Sequence, residues 1–382
     1  MASQATISAS TDHAHWPKLR IRETLLLLLA TATAVLILVV FTTPLDLTDG
    51  AGIGLATLLA TTIVFFLTPP LILKMKAGGM VGFDVNKPGK VEVAELGGIA
   101  ALFAFSVSLS VVVGIQKLLG DVAEPPFLAA IAVFFMGAMI GLIDDISDLT
   151  QRLKAVAVAF AALPLMLVHL GAPIMDLPFG YQLDFTGNWH LFYWLILVPV
   201  GVTGVANAMN MSAGYNGLET GQIAVISLAL LAVGFMHGAP DVSLLVFGAT
   251  LGCAVGIYYF NRYPAQVFIG DIGTLGLGAA LAAGVILAHI EFYGAVAISP
   301  AFFELFATVY FGLKGRNGTR RKACRNPQID GEGRLHSADG ASHFTLAYWI
   351  LAKRPMKEKS LVHALLACYA VAGTIAVAMS VL

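Results

Sequence analysis

The chain has 382 residues, 58% hydrophobic and 12% charged, with a mean hydropathy of +0.83. A soluble domain of this size carries roughly a quarter charged residues, which excludes a water-soluble fold. The formal net charge of −1 singles out no partner, and Cys253, Cys324 and Cys368 stand in no CxxC or Cys/His spacing, so neither a zinc site nor a disulfide framework is expected.

The apolar residues fall in blocks of about 17 to 22, the length a helix needs to cross roughly 30 Å of hydrocarbon. They lack the alternation of barrel strands, so the fold class is an all-α polytopic membrane protein. The blocks predict eleven spans: 22–43, 53–73, 97–116, 127–143, 155–171, 191–206, 221–237, 243–260, 273–290, 297–313 and 360–381. Before the first lies a Ser/Thr/Ala-rich tail ending in Lys18, Arg20 and Arg22. The block after it is too long for a signal peptide and has no obvious cleavage site, so it reads as an anchor that stays.

Basic residues set the orientation. With the N-terminus in the cytoplasm, the cytoplasmic segments are 1–22, 74–96, 144–154, 207–220, 261–272 and 314–359. They hold all of the 22 Lys and Arg residues except Lys117, as the positive-inside rule demands. The polar motifs fall in the same segments, whereas the opposite loops are short and hold no comparable cluster. A face that collects Asp, Asn, Lys and Gly at the ends of several helices reads as a site.

Four motifs occupy that face. Asp84-Val85-Asn86-Lys87-Pro88-Gly89-Lys90, continuing to Glu95-Leu96-Gly97-Gly98, sets cationic and amide groups near a turn. That suits a phosphate or nucleotide, although a basic juxtamembrane loop looks the same. Asp144 and Asp145 are adjacent carboxylates at a membrane boundary, and they stay ionised only if a cation or base compensates. A solvated helix end is the plain alternative. Lys154, ten residues on, is a flexible point charge able to reach a phosphate.

Asn207 to Gly221 packs three Asn and three Gly between two apolar spans. Irregular backbone at that depth is tolerated only where it lines a cavity or is buried in protein. Its amides suit a nucleobase edge or a metal. In Phe268-Ile269-Gly270-Asp271-Ile272-Gly273-Thr274, an acid sits between two glycines. Asp271 there is either a Mg²⁺ ligand or a helix N-cap.

Taken together, DVNKPGK…ELGG, IDDISDL…K, NAMNMSAGYNGLETGQ and FIGDIGTLGLG give a chain that resembles the polyprenyl-phosphate N-acetylhexosamine-1-phosphate transferases of glycosyltransferase family 4. It looks most like the archaeal and eukaryotic branch that acts on dolichyl phosphate, whose N-x-x-x-A-G-x-N-G-L-E-x-G pattern it matches almost throughout. The bacterial branch carries Asp where this chain has Ala213. The resemblance runs from about residue 53 to the end and implies a ten-helix core over 53–382, with a cytoplasmic loop at 314–359. Residues 1–52 are then a tail plus an extra anchor helix.

The resemblance implies transfer of GlcNAc-1-phosphate from a UDP-N-acetylhexosamine to dolichyl or polyprenyl phosphate. The products are a polyprenyl-diphosphate-sugar and UMP, at the first step of lipid-linked glycan synthesis. It implies Mg²⁺, with Mn²⁺ as a substitute, held by Asn210 and Asp271. The catalytic set would be Asp144, Asp145, Lys154 and Asp271, with Lys154 on the diphosphate. Substrate binding would fall to Asp84, Asn86, Lys87, Glu95, Asn216 and Arg325, with Glu95 and Asn216 in the nucleoside pocket. Membrane lipid is a partner, nucleic acid is not, and a homodimer is left open. The expected setting is the cell membrane of an archaeon or other prokaryote, with the site facing the cytoplasm.

One segment departs from the family. The stretch KGRNGTRRKACRNPQ, with His336 and His343 beyond it, lacks both the Pro-Arg-His-Arg-type run of the eukaryotic enzymes and the bacterial His triplet. Rival readings are a bacterial-type undecaprenyl-phosphate transferase, with UDP-MurNAc-pentapeptide or UDP-GlcNAc as donor, and a secondary transporter. Ala213 opposes the first; polar groups gathered at one face rather than the midplane oppose the second.

Overall fold

The computed structural model describes residues 27–28, 30–32, 34, 50–89, 91–119, 124–168, 173–314, 326–338 and 345–382. The predicted first span, 22–43, therefore lies almost wholly outside the described residues. Arg325 and His343 lie outside them too.

In chain order, α1 (Gly50–Ala77) leads into a hairpin of β1 (Val81–Asp84) and β2 (Val91–Ala94). Next come α2 (Gly98–Leu119), α3 (Glu124–Ser147) and the short pair α4 (Gln151–Phe160) and α5 (Leu163–Val168). A second hairpin, β3 (Ile174–Asp176) with β4 (Gln182–Asp184), precedes the helical run α6 (Gly187–Met211). The helices α7 (Leu218–Met236), α8 (Asp241–Asn261), α9 (Gly270–Leu287) and α10 (Glu291–Lys314) follow. A third hairpin, β5 (Gln328–Ile329) with β6 (Leu335–His336), and α11 (Leu346–Lys353) lead to α12 (Glu358–Met379).

Among the described residues, nine helices are long and apolar enough to cross a membrane: α1, α2, α3, α6, α7, α8, α9, α10 and α12. The fifth predicted span, 155–171, is instead broken into α4 and α5. Pro164 explains the break: its ring collides with the carbonyl four residues back, and α4 ends there, at Phe160. The wide turn over Tyr193–Leu197 in α6 has a similar origin, since Pro199 has no N–H for the Leu195 carbonyl.

α9 is the axis of the bundle. In its spanning stretch 89% of residues are buried, against 33% in α10, so α9 is enclosed by protein while much of α10's surface is uncovered by the described residues. It packs on α3, α6, α8 and α2. Small residues permit the close approach: a Cβ at Gly141 of α3 would stand 2.3 Å from the Asp271 carbonyl oxygen, and one at Gly98 would stand 2.4 Å from the Gly273 nitrogen. The glycines of GLIDD and ELGG thus draw α3 and α2 against the start of α9.

Backbone bonds join the first hairpin to that same start. Ala94 bridges Val267, Phe268 N donates to the Ala94 carbonyl at 2.8 Å, and Gly97 N and Gly98 N donate to the Phe268 and Ile269 carbonyls, each at 2.8 Å. Asn261, at the end of α8, completes the junction. Its Oδ1 accepts from Gly217 N and Thr220 Oγ1, each at 3.1 Å, and its Nδ2 donates to the Val267 carbonyl at 2.9 Å.

Candidate active site

The polar ends of α3, α4, α6, α7, α9 and α12 meet at one end of the bundle. Their side chains form two clusters.

The first is built on Lys154 in the opening turn of α4. Thr150 caps that helix, accepting from Leu153 N at 3.4 Å, so Lys154 faces inward and only 3% of its side chain is exposed. Its ammonium donates to Asp144 and Asp271 and, at 3.1 Å, to Asn210 Oδ1. Asn210 Nδ2 returns bonds to Asp271 Oδ1 at 2.7 Å and Thr274 Oγ1 at 2.9 Å. Asp144 Oδ1 accepts from Leu149 N at 2.7 Å. Three oxygen-bearing side chains from α3, α6 and α9 therefore converge on one buried cation. The open side lies over Asp271, whose side chain is 29% exposed.

Asp145 has a different job from its neighbour. Its Oδ1 accepts from Asp271 N at 2.9 Å and its Oδ2 from Ile272 N at 3.0 Å. It thus caps α9 from another helix, satisfying amides that a helix N-terminus leaves free. Gly270, at φ +70°, turns the chain so that a Cβ there would lie 2.8 Å from Asp145 Oδ2. The capping role considered for Asp271 is filled by Asp145, which frees the Asp271 carboxylate for Lys154 and Asn210.

The second cluster joins β1, the α6–α7 turn and the start of α12. Asn216 Nδ2 donates to Asp84 Oδ2 at 2.9 Å, and Asn216 N donates to Glu358 Oε1 at 2.8 Å. Asn86 Nδ2 donates to the Gly214 carbonyl at 2.6 Å. Lys87 pairs with Asp84, reaches Glu358 Oε2 at 3.5 Å and lies 4.7 Å over the Tyr263 ring. Asp84, Asn86, Asn216 and Glu358 are all buried. The left-handed positions of the turn are Gly214 (φ +119°) and Gly217 (φ +89°), so Asn216 is not there to hold an unusual backbone.

Glu95 lies near both clusters. Its side chain crosses the face of Gly82, where a Cβ would come within 2.2 Å of Glu95 Oε1. Burial, and next the charge of Asp145, push its pKa above the ordinary glutamate value.

The structure therefore brings together Asp144, Asp145, Lys154, Asn210 and Asp271 in one cluster, and Asp84, Asn86, Lys87 and Asn216 in the other. Sequence reasoning missed Glu358 and Thr274. Glu358 stands in Lys357-Glu358-Lys359 at the head of the last span, where it reads as ordinary helix-end charge. Its burial could have been suspected from the run KRPMKEKSLV, which resembles the family's lead into that span.

A family model described as glycosyl transferase family 4 matches residues 127–289. A protein of Saccharolobus solfataricus is 32% identical over 336 residues, covering 85% of this chain and 96% of its own. One of Sulfolobus acidocaldarius is 29% identical over 286 residues, covering 75% and 84%. Both bear the provisional name UDP-N-acetylglucosamine–dolichyl-phosphate N-acetylglucosaminephosphotransferase. The phospho-N-acetylmuramoyl-pentapeptide-transferase of Lactococcus lactis is 27% identical over 280 residues, covering 69% and 83%.

Proposed function

The chain belongs to glycosyl transferase family 4, and we propose that it transfers GlcNAc-1-phosphate from UDP-GlcNAc to a polyprenyl phosphate of the dolichyl type. The observation that carries the reading is the convergence of Asp144, Asn210 and Asp271 on the buried Lys154 ammonium, with the Asp271 side chain left 29% exposed. The more similar relatives are named for this reaction, and the pentapeptide-transferases match over less of the chain.

An oxygen of the acceptor phosphate attacks the donor's β-phosphorus, the bond from that phosphorus to the bridging oxygen breaks, and UMP leaves. A phosphate nucleophile is already ionised near neutral pH, so no base is needed, and the protein's work is positioning and charge neutralisation. Lys154 holds the diphosphate. Asp145 fixes the start of α9 so that Asp271 keeps its direction. Asn216, Asp84, Asn86 and Lys87, with Glu95, form the nucleoside end.

The donor chemistry fits Mg²⁺. Two carboxylates and an amide carbonyl are hard oxygen ligands, and Mg²⁺ takes one or two carboxylates plus substrate phosphates and water rather than an all-protein cage. Asp271 and Asn210 would hold the ion, with Asp144 beside them. When bound, it neutralises charge on the diphosphate.

The decisive experiment incubates purified protein with radiolabelled UDP-GlcNAc, dolichyl phosphate and Mg²⁺. Labelled lipid and UMP are expected; product only from UDP-MurNAc-pentapeptide and undecaprenyl phosphate would replace the reading. The site faces the cytoplasm on the strength of the basic-residue asymmetry. A single cysteine placed at position 330 in a background lacking Cys253, Cys324 and Cys368 should resist an impermeant reagent in intact cells. Labelling from outside would overturn the orientation.

A further inference from the structure

Beside the second cluster, at the base of α12, lies a cavity of about 730 Å³ that neither cluster uses. Its walls include Glu332, Arg334, Arg354, Met356, Lys357 and Ser360, three cations against one acid. The acid is spent within the wall: Glu332 pairs with Arg334 Nη2 at 3.0 Å, and Arg334 Nε pairs with Asp330 at 2.9 Å. Asp330 is itself held below the usual carboxylate range, first by the hydrogen bond with His336. Arg354 and Lys357 form no salt bridge with a described residue, which leaves two uncompensated cationic residues in the lining. The next residue, Glu358, turns the other way into the second cluster, so the two sites share a wall.

A second observation bears on where the cavity lies. Immediately before it, α11 leaves Trp349 53% exposed, with the Lys353 ammonium 4.6 Å over its ring. An exposed Trp partnered by Lys at the end of an apolar helix marks the boundary between hydrocarbon and headgroups. A cationic cavity at that level, lined in part by Met356, matches a phosphate that carries an acyl tail.

We propose that this cavity binds the phosphate headgroup of an anionic membrane lipid, with Arg354 and Lys357 as its direct contacts. The site is independent of the transfer reaction, since it uses none of the residues assigned there. The lipid is distinguished from free phosphate by its apolar part, for which Met356 and the neighbouring α11 surface provide contact.

The test titrates the full chain in dodecyl maltoside micelles with dioleoyl phosphatidylglycerol, dioleoyl phosphatidylcholine or inorganic phosphate, scored by native mass spectrometry. Phosphatidylglycerol should be retained in preference to phosphatidylcholine. Arg354→Gln should weaken its retention roughly fivefold, and Arg354→Gln with Lys357→Gln more, at about one such factor per cation. Arg354 is exposed and makes no described ion pair, so its single variant tests the site even if the double variant does not fold. UMP binding by Arg354→Gln should match the wild type. Equal retention of both lipids, or of phosphatidylglycerol by wild type and Arg354→Gln, overturns the proposal. So does full displacement of the lipid by millimolar inorganic phosphate, which would assign the cavity to a soluble anion.

Discussion

The two clusters of the polar face are built from the same parts and differ in how they are closed. Each sets two carboxylates around one lysine: Asp144 and Asp271 around Lys154, Asp84 and Glu358 around Lys87. In the first, one acid remains 29% exposed, and backbone amides of Leu149, Asp271 and Ile272 bond the adjacent carboxylates. In the second, both acids are buried, and main-chain groups of the α6–α7 turn take part in the bonding. An open cluster can exchange its lysine contacts for a substrate's phosphates. A closed one, with both acids buried, keeps its shape and suits recognition. The lesson is that charge composition alone does not distinguish the two clusters; access does.

Four measurements bear on that division. Asp271→Asn should cost the most, lowering turnover by about 10²- to 10³-fold, as expected for losing one group that stabilises transition-state charge. Its melting temperature and UMP affinity should stay close to wild type. If UMP binding fell as far as turnover, the two clusters would not be functionally separate.

Next in size is Asn216→Ala. It should weaken UMP and UDP-GlcNAc alike by about 1–3 kcal/mol, the cost of a buried polar group left unpaired, and leave dolichyl phosphate binding nearly unchanged. Asn216 has no left-handed backbone to relieve, so Asn216→Gly should be at least as damaging. A Gly variant that binds UMP normally in calorimetry would remove Asn216 from the recognising cluster.

A smaller effect is expected from Asp145→Ala. Loss of the cap on α9 should cost about 1 kcal/mol of stability and lower turnover through Asp271, with UMP affinity retained. Full activity in the variant would show that α9 holds Asp271 without help.

The smallest concerns Glu95. Its pKa is raised in the folded protein, so the fold favours the protonated form, and the ionised form works against stability as pH rises through the glutamate range. Glu95→Gln should therefore melt slightly higher than wild type at pH 7, and that gain should vanish as pH falls below about 4. A gain that persisted at low pH would point to packing rather than charge.

Much of this face was legible in the sequence because its motifs are dense in Asn, Asp and Gly where spans should be apolar. The helix ends that carry Asp144, Asn210 and Asp271 followed from the hydropathy breaks alone. What was not legible depended on direction. Asp144 and Asp145 are adjacent, yet on a helix adjacent side chains point about 100° apart. One meets Lys154 and the other the amides of α9, a division that only the packing of α3 on α9 decides. Glu358 was hidden for a related reason: burial of a helix-end acid depends on what covers it, here the α6–α7 turn more than a hundred residues away. The break at Pro164 was overlooked because the apolar block runs through it, although the residue itself carried the signal. The hairpin strands are four residues or fewer, too short for alternation to register.

The bridge between Ala94 and Val267 also has a meaning in time. Those two residues are far apart in order of synthesis, and at about 5–20 residues per second roughly ten to thirty-five seconds separate their emergence from a ribosome. Until then the carbonyl of Ala94 and the amides of Gly97 and Gly98 have no partners of their own. The early helices must wait in the bilayer beside an unfinished edge until the chain before α9 arrives to close it, and the second cluster waits longer still, for Glu358. A truncated product ending before residue 267 would accordingly carry the earlier motifs without the Asp271 and Glu358 contacts that complete the two clusters.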